Sequence, residues 1–420
     1  PSSKEASMLE DHLKLANPCR RLRSGPVGVY VDDFAEWLRE RGYRANTRSF
    51  MLRSLASWTD WLAERSFSDG DFVAGYEACR AELSEHGRVR YQRSPNRNAL
   101  AAAAALIRFL RERGVVAAAQ QPLTPSERWP LLKQFRTWML EHNGVTPSTM
   151  ERYERYAADF VEALGVVPAH YSAAAVRGFV ITRSDGHRVK TAQLIATATC
   201  SFLRFLAATG QCSEGLRHAV PRVAAYQLAA TPRFLEPEEL EKLIGACHDE
   251  DEAGLRDRAV ILLLARLGMR ASEVAELSFD ALDWHNGRIA VCGKARRHQW
   301  LPLPQQVGDT ILAYLRRGRP TLPVPQVFIS VLAPRRPMTR HAVSDVVRGA
   351  LRRAGIKAPN HGAHLLRHSA ATAMLRTGVS LNGVATVLRH RSPNTSAHYA
   401  KVDFDLLGEI AQPWPGVDSC

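Results

Sequence analysis

The sequence predicts a mainly α-helical protein of the α+β class, with two helical bundles ahead of a domain that contains a small β-hairpin. Apolar residues recur at helical spacing along most of the chain. Alternation typical of strands is confined to one stretch, Arg288 to Leu303. The 420 residues are enough for two to four domains with separate cores.

Composition and charge indicate a soluble protein with a polyanionic partner. Hydrophobic residues make up 45% and charged residues 23% of the chain, which is typical of globular proteins. The net charge of +14 favours nucleic acid. No run of about 18 apolar residues occurs, so we expect no membrane-spanning helix, and the first residues lack a secretion signal. The seven scattered cysteines contain no CxxC motif, which indicates a reducing cytoplasm without disulfides or a zinc knuckle.

The first 215 residues contain two diverged copies of one helical unit. The stretch Phe34 to Leu38 matches Phe135 to Met139, and each copy ends on an Arg-Phe-Leu triplet followed by glycine. Thr47 and Thr149 are predicted to cap the second helix of each copy. Two similar amphipathic bundles without common origin remain the alternative. The predicted divisions are an N-terminal extension (1–22), a first helical DNA-binding or interaction domain (23–120) and a second helical domain (125–215).

A basic segment precedes the last helix of each copy. Cations ahead of a helix N-terminus suit contacts to phosphate. For one such segment alone a solvated loop is the better explanation, but the recurrence at one place in both copies predicts DNA contact. The candidate residues are Arg88, Arg90, Arg93 and Arg97 in the first copy and Arg183, Arg188 and Lys190 in the second.

A linker at about 211–232 leads to a third domain at 233–405 and a tail at 406–420. Pro237, followed by acidic residues, predicts a helix start. A strongly apolar helix follows from Ala259 to Leu267. The alternating stretch turns at Gly293-Lys294-Ala295 and predicts the β-hairpin. Helical patterning returns from Thr339 onward.

The third domain contains a set of reactive side chains suited to a phosphodiester. Arginine holds two phosphate oxygens with its planar fork, and a tyrosine phenol can attack phosphorus when a base and cations assist it. Glu273 lies three residues after one of the arginines and can brace its guanidinium. In isolation each residue has an ordinary structural explanation. The set is Arg270, His364, Arg367, His390 and Tyr399.

Residues from about 233 to 403 resemble the catalytic domain of the tyrosine recombinase (lambda-integrase-like) family. The resemblance rests on six positions in order, which are these five residues and Lys294 at the place of the hairpin lysine of the family, with Glu273 three residues after the first arginine. Residues 125–215 are similar to the core-binding domain of the family. Two positions depart from the family pattern: Arg389 stands where glycine is usual before the second histidine, and Ala295 replaces the common glycine after Lys294.

The resemblance implies DNA strand cleavage through a 3′-phosphotyrosyl intermediate. The two arginines would stabilise the scissile phosphate. His364 would accept the Tyr399 proton or orient the phosphate, and His390 would donate to a non-bridging oxygen. Lys294 would protonate the leaving 5′ oxygen. Neither ATP nor another cofactor is expected. The spacing of His364 and His368 is zinc-like, but the sequence shows no further ligand set, so no metal is expected.

The implied partner is a double-stranded DNA recombination site, bound by a homotetramer that holds two sites, with or without related recombinases. No membrane is expected as a partner. We expect a cytoplasmic, nucleoid-associated enzyme that serves integration or transposition of a mobile element. Two alternatives stay open: a type IB topoisomerase, and a non-catalytic architectural DNA-binding protein. The amphipathic tail can pack in cis or dock on a neighbouring protomer.

Overall fold

The computed structural model describes residues 8–13, 16–68, 70–85, 97–118, 123–224, 233–292, 298–358, 361–389 and 398–402. Within these ranges the chain is mainly helical with one small antiparallel sheet, which confirms the predicted class. The chain divides into two compact units. Residues 119–229 form one unit, and residues 1–118 with 230–420 form the other, whose described residues contain two large hydrophobic cores and one small hydrophobic cluster.

The first of these cores lies in a bundle of six helices. They are α1 (Met8–His12), α2 (Ala16–Ser24), α3 (Val31–Glu40), α4 (Ala45–Glu64), α5 (Phe72–Glu85) and α6 (Arg97–Glu112). Trp58 of α4 is fully buried near Phe72, with 6.5 Å between ring centroids. Leu9, Leu13 and Leu22 belong to the same core. Part of the segment predicted as an N-terminal extension therefore packs into the first bundle.

Besides two short 3-10 helices, the described residues of the unit at 119–229 form five α-helices. They are α7 (Pro125–Arg128), α8 (Pro130–Asn143), α9 (Pro147–Leu164), α10 (Ala173–Ser184) and α11 (Val189–Ala208). By length and composition alone, α11 could cross a membrane. Nine of its residues are instead buried, and five of these, including Phe202 and Phe205, belong to the main core of this bundle. The apolarity of α11 is therefore explained by its central position.

The two predicted capping residues lie inside their helices. α4 begins at Ala45 and α9 at Pro147, so Thr47 and Thr149 occupy the first turns and do not cap them. The prediction was wrong because it ignored the proline: Pro147 has its φ preset for the first helical position, which moves the cap to Thr146. In α4 the extended residue before the helix is Arg44, which makes no side-chain cap.

Both bundles contain the same aromatic arrangement. In each, the Phe and Trp of the repeated motif pack against the Phe of the later Arg-Phe-Leu triplet. The ring centroids lie 5.7 Å apart in Phe34–Phe109 and 5.6 Å in Phe135–Phe205, and 6.0 Å in Trp37–Phe109 and 5.9 Å in Trp138–Phe205. Matched sequence positions therefore have matched packing roles, which supports the proposed duplication.

The remaining core is built around one apolar helix. The elements are α12 (Pro237–Gly245), α13 (Glu252–Arg266), α14 (Ala271–Ala275), β1 (Leu282–Asp283), β2 (Arg288–Cys292), β3 (His298–Pro302), α15 (Gln305–Arg317), α16 (Arg340–Ala354), α17 (Ala363–Arg376), α18 (Leu381–Val387) and a 3-10 helix (His398–Val402). Residues 259–264 of α13 are all fully buried. A helix that is apolar on every side must be covered on every side, and α15, α16 and α17 pack around it.

The predicted hairpin is present as β2 and β3, with β1 added at the edge of β2. Ile289 pairs with Leu301 and both side chains face the core, whereas Trp300 is exposed beneath the guanidinium of Arg288. Opposite residues alternate between the two faces because the side-chain period of a strand is two. The predicted turn, with Lys294, lies outside the described residues.

Candidate active site

The structure brings four of the six predicted reactive residues to one site. Arg270 precedes α14, His364 and Arg367 lie on α17, and Tyr399 lies on the 3-10 helix. His390, like Lys294, falls outside the described residues. The guanidinium groups of Arg270 and Arg367 both donate hydrogen bonds to the backbone carbonyl of Leu388, directly after α18.

Arg270 is held at the tight turn between α13 and α14. Gly268 adopts a left-handed φ of +57°, and a Cβ there would lie 2.5 Å from Leu388 Cδ2, so glycine is strongly favoured at this position. The N–H of Arg270 donates to Glu273 Oε2 at 2.8 Å, and its Nη1 donates to Oε1 at 2.5 Å. Its Nη2 donates to the carbonyl of Arg389 at 3.1 Å. Glu273 thus braces the guanidinium as predicted.

Arg367 is buried, with 4% of its surface exposed. Its two terminal nitrogens donate to the carbonyl groups of Gly268 and Leu388. Burial lowers the pKa of Arg367 to about 10, and the nearby Arg270 charge adds to that effect. The guanidinium therefore stays charged at neutral pH, and its orientation is set by two backbone segments that only the fold brings together.

Glu273 is a buried carboxylate among cations. Burial raises its pKa, but the backbone N–H of Arg270, the charge of Arg389 and the side chain of Arg270 together lower the pKa below its usual value. The carboxylate therefore remains ionised at neutral pH. Arg389 donates to Glu273 Oε2 at 2.7 Å, so two guanidinium groups share one carboxylate.

The Tyr399 side chain is almost fully buried and is hydrogen-bonded to His368, a histidine to which the sequence gave no catalytic role. Tyr399 is 2% exposed and packs in one cluster with Ala371, Leu375 and Leu388. Its hydroxyl lies 2.8 Å from Nδ1 of His368. Burial raises the pKa of the phenol, and Arg367 opposes that rise. A phenol that is protonated at neutral pH needs a proton acceptor to become a nucleophile, and His368 is in contact with it.

His364 occupies the neighbouring position, one turn earlier on α17. Its ring centroid lies 6.3 Å from that of His368, and its side chain keeps an exposed face. Partial burial lowers its pKa, and the charges of Arg367 and Arg270 lower it further. A neutral, accessible imidazole beside two arginines suits an incoming phosphate. The sequence placed His368 near the reactive residues only through its i,i+4 spacing from His364, which resembles the spacing of zinc ligands.

The candidate DNA contacts differ in their surroundings. Arg97 is exposed in the first turn of α6, and Arg188 and Lys190 are exposed at the start of α11. Arg183 is instead held by Asp159, with 2.8 Å between Nε and Oδ2. Arg88, Arg90 and Arg93 lie outside the described residues. In the described part of the chain no group of three or more His, Cys, Asp or Glu side chains could hold a metal ion.

Comparison with known proteins identifies the family of the chain. The phage integrase family model matches residues 233–405. The putative integrase/recombinase y4rA of Sinorhizobium fredii is 36% identical over 399 residues, covering 93% of this chain and 95% of that protein. Tyrosine recombinase XerD of Listeria monocytogenes is 26% identical, over 65% of this chain and 94% of XerD. A lambda integrase tetramer bound to a Holliday junction has the same fold (TM-score 0.53, 15% identity, 77% and 90% coverage).

The chain belongs to the tyrosine recombinase family, and it is therefore a site-specific recombinase that cleaves and rejoins DNA strands. The family resemblance of the third domain is confirmed, and the similarity to y4rA extends it over nearly the whole chain.

Proposed function

We propose that Tyr399 cuts DNA by attacking the scissile phosphate and forming a 3′-phosphotyrosyl bond. The observation that carries this proposal is the Tyr399 hydroxyl, 2.8 Å from His368 Nδ1 and close enough to Arg367 for electrostatic interaction. The bond between the phenol oxygen and phosphorus forms as the bond to the 5′ oxygen breaks. A 5′ hydroxyl from another strand then reverses the step and yields a recombinant strand, without ATP.

Two proton transfers accompany cleavage, one from the attacking phenol and one to the leaving 5′ oxygen. His368 takes the phenol proton, and the leaving 5′ oxygen receives a proton from Lys294, the role that the family resemblance assigns to it. Arg270 and Arg367 stabilise the negative charge that grows on the phosphoryl oxygens. His364 orients the phosphate from its accessible position, and His390 donates to a non-bridging oxygen.

The burial of Tyr399 sets a condition on cleavage. At 2% exposure the phenol does not reach a phosphate bound outside the protein. The 3-10 helix at 398–402 must therefore shift when DNA binds. Such a shift costs the packing of Tyr399 against Ala371, Leu375 and Leu388, so DNA contacts have to supply that free energy.

The proposed target is a double-stranded recombination site of a mobile element, in an integration or transposition reaction. The relative named a putative integrase/recombinase supports this assignment. A homotetramer on two sites is the proposed assembly, by analogy with the lambda integrase tetramer on a Holliday junction. The two helical domains are the proposed DNA-binding domains, supported by exposed Arg97, Arg188 and Lys190. The proposed location is the bacterial cytoplasm.

Trapping of the covalent intermediate tests the proposal. Nicked duplexes that tile the DNA flanking the gene are incubated with the full-length protein in EDTA, so that the fragment beyond the nick diffuses away after cleavage. We expect an adduct that resists detergent, with the DNA 3′ end attached to Tyr399 by peptide mass spectrometry. No adduct on any duplex, attachment to another residue, or an adduct that forms only without EDTA would contradict the proposal.

Replacing His368 with Ala should reduce cleavage at neutral pH by about 10²- to 10⁴-fold, the usual contribution of a general base. Without the base, the rate should rise steadily with pH up to pH 10, because it then follows the small fraction of phenol that ionises unaided. The measurement is the rate of adduct formation from pH 6 to 10. His341→Ala, an exposed histidine on α16, is the matched control and should behave as the unchanged protein. A pH profile of unaltered shape in His368→Ala would assign the proton to another group.

A further inference from the structure

Arg389 occupies a backbone position that arginine rarely adopts. It follows α18 with a φ of +58°, in the left-handed region where glycine is favoured. Among the described residues Ser66 is the only other non-glycine residue with a positive φ. The local backbone therefore disfavours a side chain here, and the contacts of that side chain have to compensate.

The Arg389 side chain is buried and directed into the active site. It is 4% exposed, and its Nη2 donates to Glu273 Oε2 at 2.7 Å while its Nη1 donates to the Val387 carbonyl at 2.9 Å. Its own carbonyl accepts the hydrogen bond from Arg270 Nη2 at 3.1 Å. Arg389 thus holds Glu273 through its side chain and Arg270 through its backbone.

The charges around Glu273 show what this contact changes. Oε1 of Glu273 accepts from Arg270 Nη1, and Oε2 accepts from the Arg270 backbone and from Arg389. With Arg367, three guanidinium groups surround one carboxylate, which leaves two net positive charges. A phosphodiester carries one negative charge and approaches two in the transition state of attack, so the site matches the charge of that state.

We propose that Arg389 is a positioning residue for cleavage: it fixes Glu273, and through Glu273 and its own carbonyl it fixes Arg270 against the phosphate. The effect on rate rests on the proposed function, whereas the effect on Glu273 does not. Two substitutions separate the side chain from the backbone. Arg389→Gly is compatible with the positive φ but removes the positive charge. Arg389→Lys keeps a positive charge on a side chain at the same position.

The first measurement needs no DNA. The Glu273 carboxyl is titrated by carbon NMR in full-length protein labelled at glutamate, with Glu273→Gln to assign its signal. The charged groups that face it are Arg270, Arg367 and Arg389, with His364 beside the arginines. Loss of a neighbouring positive charge disfavours the carboxylate, so Arg389→Gly should raise the pKa of Glu273. Arg389→Lys should hold the pKa closer to that of the unchanged protein.

The second measurement is the adduct rate on the most reactive nicked duplex. Arg389→Gly should slow cleavage by about 10- to 100-fold, the usual loss when a residue that orients a functional side chain is removed. Arg389→Lys should recover part of that loss. Ser66→Gly, which relieves the other positive φ, should have no effect. An Arg389→Gly protein with unchanged rate, or with unchanged Glu273 titration, would overturn the inference. Absence of any adduct in the unchanged protein would contradict the proposed function alone, because the titration still decides the role of Arg389.

Discussion

Replacing Tyr399 with Phe is expected to abolish the covalent protein–DNA adduct while leaving binding of the same duplex close to that of the unchanged protein. The substitution removes only the phenol oxygen, which is the proposed nucleophile. No other group in the mechanism can form the phosphotyrosyl bond. The measurements are the adduct yield on a denaturing gel and the duplex affinity at one stated salt concentration, since phosphate contacts make affinity depend on salt.

The variant should fold, because the aromatic ring keeps its packing against Ala371, Leu375 and Leu388. The lost hydrogen bond to His368 costs about 1 kcal/mol. Tyr314→Phe is the matched control in the same unit: Tyr314 is fully buried, and its hydroxyl accepts the Ile329 N–H at 3.2 Å. That variant loses a comparable bond and should form the adduct normally. An adduct in Tyr399→Phe would show that another residue is the nucleophile.

Replacing Arg367 with Lys is expected to reduce cleavage by about 10²- to 10³-fold although the positive charge is retained. That range is typical for removal of one group that stabilises developing negative charge. The buried guanidinium uses two terminal nitrogens to bind the carbonyl groups of Gly268 and Leu388, and an ammonium cannot reproduce that planar fork. The lysine would leave an acceptor unpaired and present its charge at a different place.

The matched control is Arg376→Lys, the same change on the same helix. Arg376 is exposed and pairs with Glu236 at the surface, where an ion pair contributes at most about 1 kcal/mol. Its cleavage rate should be unchanged. Thermal melts of both variants separate loss of fold from loss of chemistry. Cleavage by Arg367→Lys at the rate of the unchanged protein would remove Arg367 from the proposed mechanism.

The helical framework and the hairpin could be predicted because their signals are local. The apolar run in α13 and the alternation in β2 and β3 each extend over a few turns or residues, and the structure confirms both. The N-cap positions of α4 and α9 were misplaced by three residues, at Thr47 and Thr149, since several residues near a helix start can act as the cap.

The active site was predictable in its chemical groups and not in its contacts. Arg270 with Glu273 lies within one helical turn, so the sequence indicated their pairing. His368 and Tyr399 are separated by 31 positions, and Arg389 and Glu273 by 116. Sequence periodicity cannot indicate contacts between residues that lie so far apart in the chain. The resemblance to a family gave His364 two alternative roles, accepting the Tyr399 proton or orienting the phosphate, and in the structure the phenol is hydrogen-bonded to His368.

By itself the sequence determined which reactive side chains exist, which of them lie on helices, and that their combination suits a phosphodiester. Only the tertiary structure decided which histidine contacts Tyr399, which carbonyl groups orient Arg367, and that Arg389 shares Glu273 with Arg270. The physical reason is the range of the forces involved. Helix and strand preferences act within a few residues, but the carbonyl groups of Gly268 and Leu388 meet Arg367 only after α13, α17 and α18 have packed together.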